Sequence, residues 1–372
     1  MCEIENQLAE LVSKVEKHLG RIAKGNDTDG REYTSLSEMW ATVGILEPPV
    51  APKAGTTRKR VAELVDGATD ETASVPAWYT QAYAYWEAEG NCPPTIDGVL
   101  GGFGHVSGTD IAGSRRFLEG RVKPLLSAMR LEKAADCGAG IGRVTKLLLL
   151  PIFASVDLLE PSPRLLAAAP SFMFGQEGHR AARMEAEVLL SEGGKEEKLR
   201  EQTVVGMRGR EEPDGKAEGA DPRAGSLPTR QQQGIKAPPE ARVRYLCLGM
   251  QDFQPASGVV YDVVWIQWCI GHLHDLDLVR FLVRIRAALR PETGAVIVKD
   301  NCCDASADFV VDTGDSSLTR SPAYLKALFE IAGYDLRVEE RQQGFPAELF
   351  PVIMFCFTAK KEASQSGEGG GR

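Results

Sequence analysis

The sequence predicts an α/β fold: a mostly parallel seven-stranded sheet with helices on both faces and an antiparallel hairpin at one edge. Three observations carry that expectation. Strand-like and helix-like segments alternate from residue 133 onward, a glycine-rich turn follows one strand and opens a helix, and the last two strands are separated by a short connection. Alternation of this kind is the pattern of parallel strands with helices crossing over them.

In chain order, the strand candidates are residues 133–136, 155–160, 243–248, 261–267, 295–300, 335–341 and 352–358. Each is a short run rich in Val, Ile, Leu, Tyr or Phe. Helices fit between them at 143–150, 163–169, 276–289 and 322–332. The connection QQGFPAELF before the last strand is too short for a crossover helix, so it implies an antiparallel pair.

The flanking segments differ in character. In residues 1–24 the apolar positions Ile4, Leu8, Leu11, Val15, Leu19 and Ile22 recur in steps of three and four, which predicts a helix. It is either a coiled-coil or docking helix or an accessory helix on the domain surface. Residues 48–75 combine Pro, Gly, Thr and basic residues and read as a linker. Residues 1–75 are thus an N-terminal extension, 76–360 the main domain and 361–372 a flexible tail. The stretch from about 174 to 240 is strongly polar and of low complexity, as in GMRGREEPDGKAEGADPRAG. It is expected to be a disordered insertion, because it cannot bury enough apolar area to offset its chain entropy.

Composition narrows the class. Hydrophobic residues are 43% of the 372, enough for a sizeable core, and the formal net charge is −9. An acidic chain has no broad attraction for phosphate backbones, so nucleic acid is not the expected partner and basic ones suit better. The 8 cysteines form no C-x-x-C pair and mostly sit in apolar runs. They read as free thiols in a reducing compartment, with no metal site. There is neither a basic-then-apolar leader nor an apolar run of membrane-spanning length. The expected location is cytoplasmic, nuclear or both, with no membrane association. Oligomeric state is not readable.

The glycine-rich turn is Asp136-Cys137-Gly138-Ala139-Gly140-Ile141-Gly142-Arg143. A dinucleotide fingerprint is spaced G-x-G-x-x-G; here the spacing is D-x-G-x-G-x-G. That resembles the first motif of the Rossmann-like (class I) methyltransferases, whose ligand is S-adenosylmethionine, released as S-adenosylhomocysteine. Glycine lets the backbone approach such a ligand closely, and Asp136 helps orient the turn and offset the ligand's positive charge. Glu160 ends the next strand, where a carboxylate accepts hydrogen bonds from both ribose hydroxyls. Asp157, earlier in that strand, fits less well by register. Gln251 and Asp252 follow the third strand, where adenine contacts lie in such folds.

Longer stretches narrow the substrate. Tyr85-Trp86, PPTIDGVLGGFGHVS (93–107), DCGAGIGRVTKLLLLPIF (136–153), GMQDF (249–253), YDVVWIQWCIGHL (261–273), VIVKDN (296–301) and DSS (315–317) together resemble the α-N-terminal protein methyltransferase family. Its members recognise Xaa-Pro-Lys/Arg N-termini. The likeness covers roughly residues 78–360 apart from the insertion. It implies cofactor-binding roles for Gly138, Gly140, Arg143, Glu160, Gln251 and Gln267, and a substrate channel with Leu100, Trp268, His272, Asn301, Asp312, Asp315 and Phe350. Three departures stand out: Glu160 where the family has Asp, Phe350 where it often has Tyr, and Thr313-Gly314 where a second acid usually follows position 312.

The chemistry agrees with those assignments. An α-amine has a pKa of about 8 against about 10.4 for Lys, so freeing its lone pair near neutral pH costs about 1 kcal/mol or less. A modest base and good alignment suffice. His272 and Asp315 are the candidates for the base, and Asn301 for aiming the amine. Asp312 and Asp315 can pair with Lys or Arg at the third substrate position, and Trp268 offers a wall for a Pro ring. Trp265, inside its strand, reads as core, as His105 and His274 read as structural or exposed. The glycines of 97–104 suit either a lid or a plain turn. Two rival readings are a methyltransferase acting on another amine and a non-catalytic module that binds N-termini. The intact glycines and Glu160 argue against the second.

Overall fold

The computed structural model describes residues 24–43, 77–188 and 242–361, except residue 305, and a few positions between 10 and 21. Between 176 and 188 it describes the backbone alone. The linker 48–75, most of the insertion, and the tail beyond 361 lie outside the described residues. Within the expected 1–24 helix, residues 10, 11 and 13–18 are helical.

Eleven strands are present among the described residues. They are β1 (Gly25–Asp27), β2 (Glu32–Tyr33), β3 (Lys133–Cys137), β4 (Ser155–Leu159), β5 (Val243–Leu246), β6 (Val263–Gln267), β7 (Ala295–Asn301), β8 (Phe309–Asp312), β9 (Ser317–Arg320), β10 (Tyr334–Arg341) and β11 (Val352–Ala359). The principal helices are α1 (Leu36–Thr42), α2 (Ala77–Glu87), α3 (Ser107–Phe117), α4 (Pro163–Val188), α5 (Asp275–Ala288) and α6 (Pro322–Ile331).

Seven strands form one sheet in the order β10-β11-β7-β6-β3-β4-β5. The pairs β3–β4, β4–β5 and β6–β7 are parallel, whereas β10–β11 and β11–β7 are antiparallel. All seven expected strands are therefore found, with the antiparallel pair at the edge. Burial explains their composition. β6 (VVWIQ) is buried along its whole length, as a strand covered on both faces must be. β10 (YDLRVEER) at the edge is mostly exposed and charged, which discourages pairing with other chains.

The chain divides into two compact units, Met1–Ala82 with Ala112–Arg130 and Met250–Arg372, and Tyr83–Ile111 with Leu131–Gly249. The first contains β6, β7, β10 and β11 with α5 and α6. The His274 ring caps α5 by accepting from Leu276 N, while Asp275 and Asp277 in its first turn and Arg286 in its last match the helix dipole. Its buried Leu278, Phe281, Leu282 and Ile285 recur at helical spacing. In α6, the Ser321 hydroxyl accepts from Tyr324 N ahead of Pro322 at the first position.

The same unit holds a second sheet that the sequence reading did not anticipate, in the order β2-β1-β8-β9. β1 runs parallel to β8, with Gly25 opposite Phe309 and Asp27 opposite Val311. Residues 25–42 are thus folded into the unit that carries the expected substrate residues. Other differences are local. The helix expected at 143–150 is one short turn followed by a π-helical stretch, Thr145–Leu149. Helix α4 runs past its expected end at 169, with a break at Gly175 (φ 73°, ψ −163°).

Candidate active site

The glycine turn lies wholly in the second unit. Gly138, Gly140 and Gly142 have φ of 63°, 56° and 78°, a conformation that side-chain-bearing residues rarely adopt. A Cβ on Gly142 would stand 2.7 Å from Met173 Sδ, and one on Gly140 3.3 Å from a Val99 methyl. The glycines are needed both for the turn and for the close packing of its neighbours. Asp136 accepts from the Thr145 hydroxyl at 2.6 Å, and burial pushes its carboxyl up to about 6. Glu160 is 5% exposed. One of its oxygens accepts from Gly140 N at 2.7 Å and the other from Ser162 N at 2.8 Å. Burial pushes this carboxyl up to about 7. Asp157 instead pairs with Lys133 and Arg244 at 2.6 and 2.5 Å, which separates its role from that of Glu160.

Arg143 is buried and donates to Asp110 at 2.8 Å and to Ser107 at 3.3 Å, both on α3. Sequence reasoning missed Asp110, because nothing marks a pairing across 33 residues. The 97–104 loop is a short turn, Ile96–Val99, capped by the Thr95 hydroxyl and closed by Gly104 N donating to Asp97 at 2.9 Å. Val99 joins the apolar cluster of Cys92, Ile141 and Leu165, with Trp86 and Phe172. Leu100, half-buried, ends that turn.

The remaining expected residues lie in the first unit. Gln267 ends β6, 7% exposed, with its amide oxygen accepting from Trp265 Nε1 at 2.9 Å. Trp265 is buried, as its position inside the strand implied. The next residue, Trp268, has φ of 54°, a strain of about 1–2 kcal/mol for a residue with a Cβ. Its N–H donates to Lys299 O at 3.1 Å, and its ring stacks on Phe345 with centroids 6.2 Å apart. Gln251 lies in a turn whose carbonyls, from Met250, Gln251 and Phe253, accept from Arg284 of α5.

His272 sits on a 3₁₀ turn, Ile270–His272. Arg320 of β9 donates to Ile270 O at 3.2 Å and to Leu273 O at 2.6 Å. Asp300, which sequence reasoning passed over, accepts from Ile270 N and Asn301 N, and burial pushes it up to about 7. The His272 ring meets Ser316 O through Nδ1 at 2.9 Å. A carbonyl can only accept, so Nδ1 carries the proton and Nε2 of the neutral ring carries the lone pair.

Asp312 and Asp315 belong to the β8–β9 hairpin. Asp312 closes the ladder opposite Ser317 and accepts from Gly314 N at 2.8 Å. Asp315 lies in the turn, and its Oδ1 is buried without a hydrogen-bond partner among the described residues. Burial raises its carboxyl, while the neighbouring His272 opposes that rise. A buried acceptor left unmatched is costly unless a ligand supplies the donor. Asn301 is half-buried at the end of β7, and Phe350 is 41% exposed before β11. The structure thus gathers His272, Asp315 and Asp312 around one hairpin.

The chain matches the model of the AdoMet dependent proline di-methyltransferase family over residues 75–192 and 226–358. It is 34% identical to alpha N-terminal protein methyltransferase 1 of Oryza sativa subsp. japonica, covering 92% of this chain and 94% of that one. It is also 34% identical to N-terminal Xaa-Pro-Lys N-methyltransferase 1 of Mus musculus, over 75% of this chain and 94% of that one. A solved SAM-dependent methyltransferase of Leishmania major aligns with a TM-score of 0.57 at 29% identity, covering 91% of this chain and 96% of that chain.

Proposed function

The chain belongs to the AdoMet-dependent proline di-methyltransferase family, and from that premise we propose that it methylates the free α-amino group of protein N-termini of the form Xaa-Pro-Lys/Arg. Its relatives are named for that activity. The observation that carries the reading is Asp315 Oδ1, a buried acceptor without a partner among the described residues, beside His272, whose tautomer the Ser316 carbonyl fixes.

The residues of the second unit fit S-adenosylmethionine. Gly138 and Gly140 hold backbone in a left-handed conformation that side-chain-bearing residues rarely adopt, and Glu160 is held by two backbone N–H groups with lone pairs left for ribose hydroxyls. Arg143 and Asp136 flank the turn and order it, and Arg143 suits the cofactor's carboxylate. When bound, the cofactor supplies an electrophilic methyl group on a positively charged sulfur.

The other steps belong to the chain's own residues. His272 Nε2 takes the proton of the substrate ammonium, and its Nδ1–H stays on Ser316 O. Asp315 stabilises the imidazolium that forms and accepts an N–H of the amine. Asn301 accepts a second N–H, so that the lone pair has one direction left. Asp312 pairs with the basic third residue. Trp268, backed by Phe345, packs against the Pro ring, and Phe350 is the remaining apolar contact of the first unit.

Mass spectrometry of a Ser-Pro-Lys-Arg peptide incubated with enzyme and S-adenosylmethionine tests this reading. Gains of one to three methyl groups are expected on the free peptide and none on its N-acetylated form. Methylation of both would move the target to a side chain and sink the proposal.

A further inference from the structure

The segment before the methyltransferase domain is built into the substrate-side unit by two independent sets of contacts. The first is the parallel pairing of β1 with β8. Thr28 N donates to Val311 O at 3.0 Å and Asp308 N to Lys24 O at 3.1 Å, so both ends of β8 are bonded to the segment. Asp27 closes the β1–β2 turn by accepting from Asp29 N, Arg31 N and the Tyr33 hydroxyl. Gly25 lies so near the Phe309 ring that an added Cβ would stand 2.3 Å from it. The strand that β1 holds in this way ends at Asp312, and its hairpin turn carries Asp315.

The second set centres on Trp40 of α1, which is fully buried. Its Nε1–H donates to Asp275 Oδ2 at 3.2 Å. Asp275 also accepts from the Tyr324 hydroxyl at 2.6 Å and from Arg320 Nε at 3.0 Å, and Arg320 is the residue that grips the His272 turn. The Trp40 ring meets Trp78 edge-on at 5.1 Å and His274 at 4.8 Å. Trp78 in turn donates to the backbone oxygen of His272 at 2.8 Å. Trp40 therefore reaches His272 by two routes: one through Asp275 and Arg320, the other through Trp78.

We infer that residues 24–43 are a working part of substrate binding and proton transfer: Trp40 is a positioning residue for His272, and β1 sets the placement of Asp312 and Asp315. The inference rests on the substrate reading above. Its two arms act on different kinetic quantities. Loosening Trp40 displaces the base and lowers kcat. Splaying β1 from β8 displaces Asp312, which holds the basic residue, and raises the peptide KM. A general loss of stability instead lowers the active fraction, and so kcat alone, in every variant.

The experiment compares Trp40→Ala, Trp40→Phe and Gly25→Ala with a sheet-edge control, Val338→Ala, in the full chain. Peptide kcat and KM, the dissociation constant of S-adenosylhomocysteine and hydrogen exchange at residues 309–320 are measured. Trp40→Ala is expected to lower kcat about tenfold or more, since small misplacements of reacting groups carry such penalties. Trp40→Phe, which keeps a ring against Trp78, recovers most of that loss. Gly25→Ala raises KM about tenfold and speeds exchange at 309–320. The cofactor constant stays within about twofold throughout. Unchanged kinetics in Trp40→Ala and Gly25→Ala overturn the inference, and so does a shared fall in kcat that Val338→Ala reproduces. A wild-type enzyme inactive on the peptide defeats the substrate reading instead, and the exchange data still decide whether β1 holds the hairpin.

Discussion

The glycine-turn region and the hairpin region reach their geometry by opposite means. In the first, the groups that matter are largely backbone: three left-handed glycines, and a Glu160 carboxylate fixed by two N–H groups. Nearly all of it comes from residues 136–162. In the second, the groups are side chains on a 3₁₀ turn and a hairpin, held by partners drawn from positions 40, 78, 300 and 320. Backbone geometry is specified locally and tolerates little substitution. The side-chain arrangement is specified at long range and can be retuned one contact at a time. Changes in the two regions should therefore separate into different measurable quantities.

The sharpest break of that contrast is Asp110→Ala. Arg143 and Asp110 have side chains 4% and 0% exposed, so the change removes the carboxylate that neutralises a buried guanidinium. A stability loss of about 3–5 kcal/mol is expected by chemical denaturation, with weaker cofactor binding in the fraction that folds. A loss under about 1 kcal/mol would mean that solvent or another partner already serves Arg143.

Asp315→Asn probes the other side. It keeps the shape and removes the charge that offsets the His272 imidazolium. The kcat/KM for an Xaa-Pro-Lys peptide should fall about tenfold or more, equivalent to about 1.4 kcal/mol, with the cofactor constant unchanged. An equal change in cofactor affinity would erase the distinction between the regions.

The smallest effect is a pH dependence. Burial raises Glu160 from its ordinary value of 4.5 to about 7 in the folded protein. The folded state thus holds the proton more tightly than the unfolded one, and this carboxyl's contribution to stability falls as pH rises from about 4.5 to about 7. Ribose hydroxyls donate to the ionised form, so cofactor affinity should strengthen severalfold between pH 6 and pH 8 in calorimetric titrations. Glu160→Gln should flatten that slope; a slope unchanged in the variant assigns it to another group.

The same contrast explains what could be read in advance. The seven strands of the main sheet were legible because each is a run of β-formers bounded by turns, and the glycine spacing was legible because backbone demands leave a fixed trace in sequence. Trp265 was assigned to the core from its position inside β6, and it is buried. The small sheet was not legible. β1 and β2 are three and two residues of mixed polarity, GND and EY, with no period to detect. Asp312 and Asp315 were visible only through family resemblance, because a hairpin turn of Asp, Thr and Gly looks like any solvated loop. The Trp40–Asp275 bond spans 235 residues, and no local pattern encodes it.

The pairing of β1 with β8 also orders events while the chain is being made. Lys24 and Asp308 are 284 residues apart, so β1 has left the ribosome long before its neighbour exists. At 5–20 residues per second the wait is about a quarter of a minute to a minute. A hairpin of three and two residues does not persist alone in water, so β1 and β2 stay unformed throughout that interval. A product cut short before β8 then carries the whole glycine turn yet lacks both acids, and on this reading premature release yields a chain unable to grip its substrate.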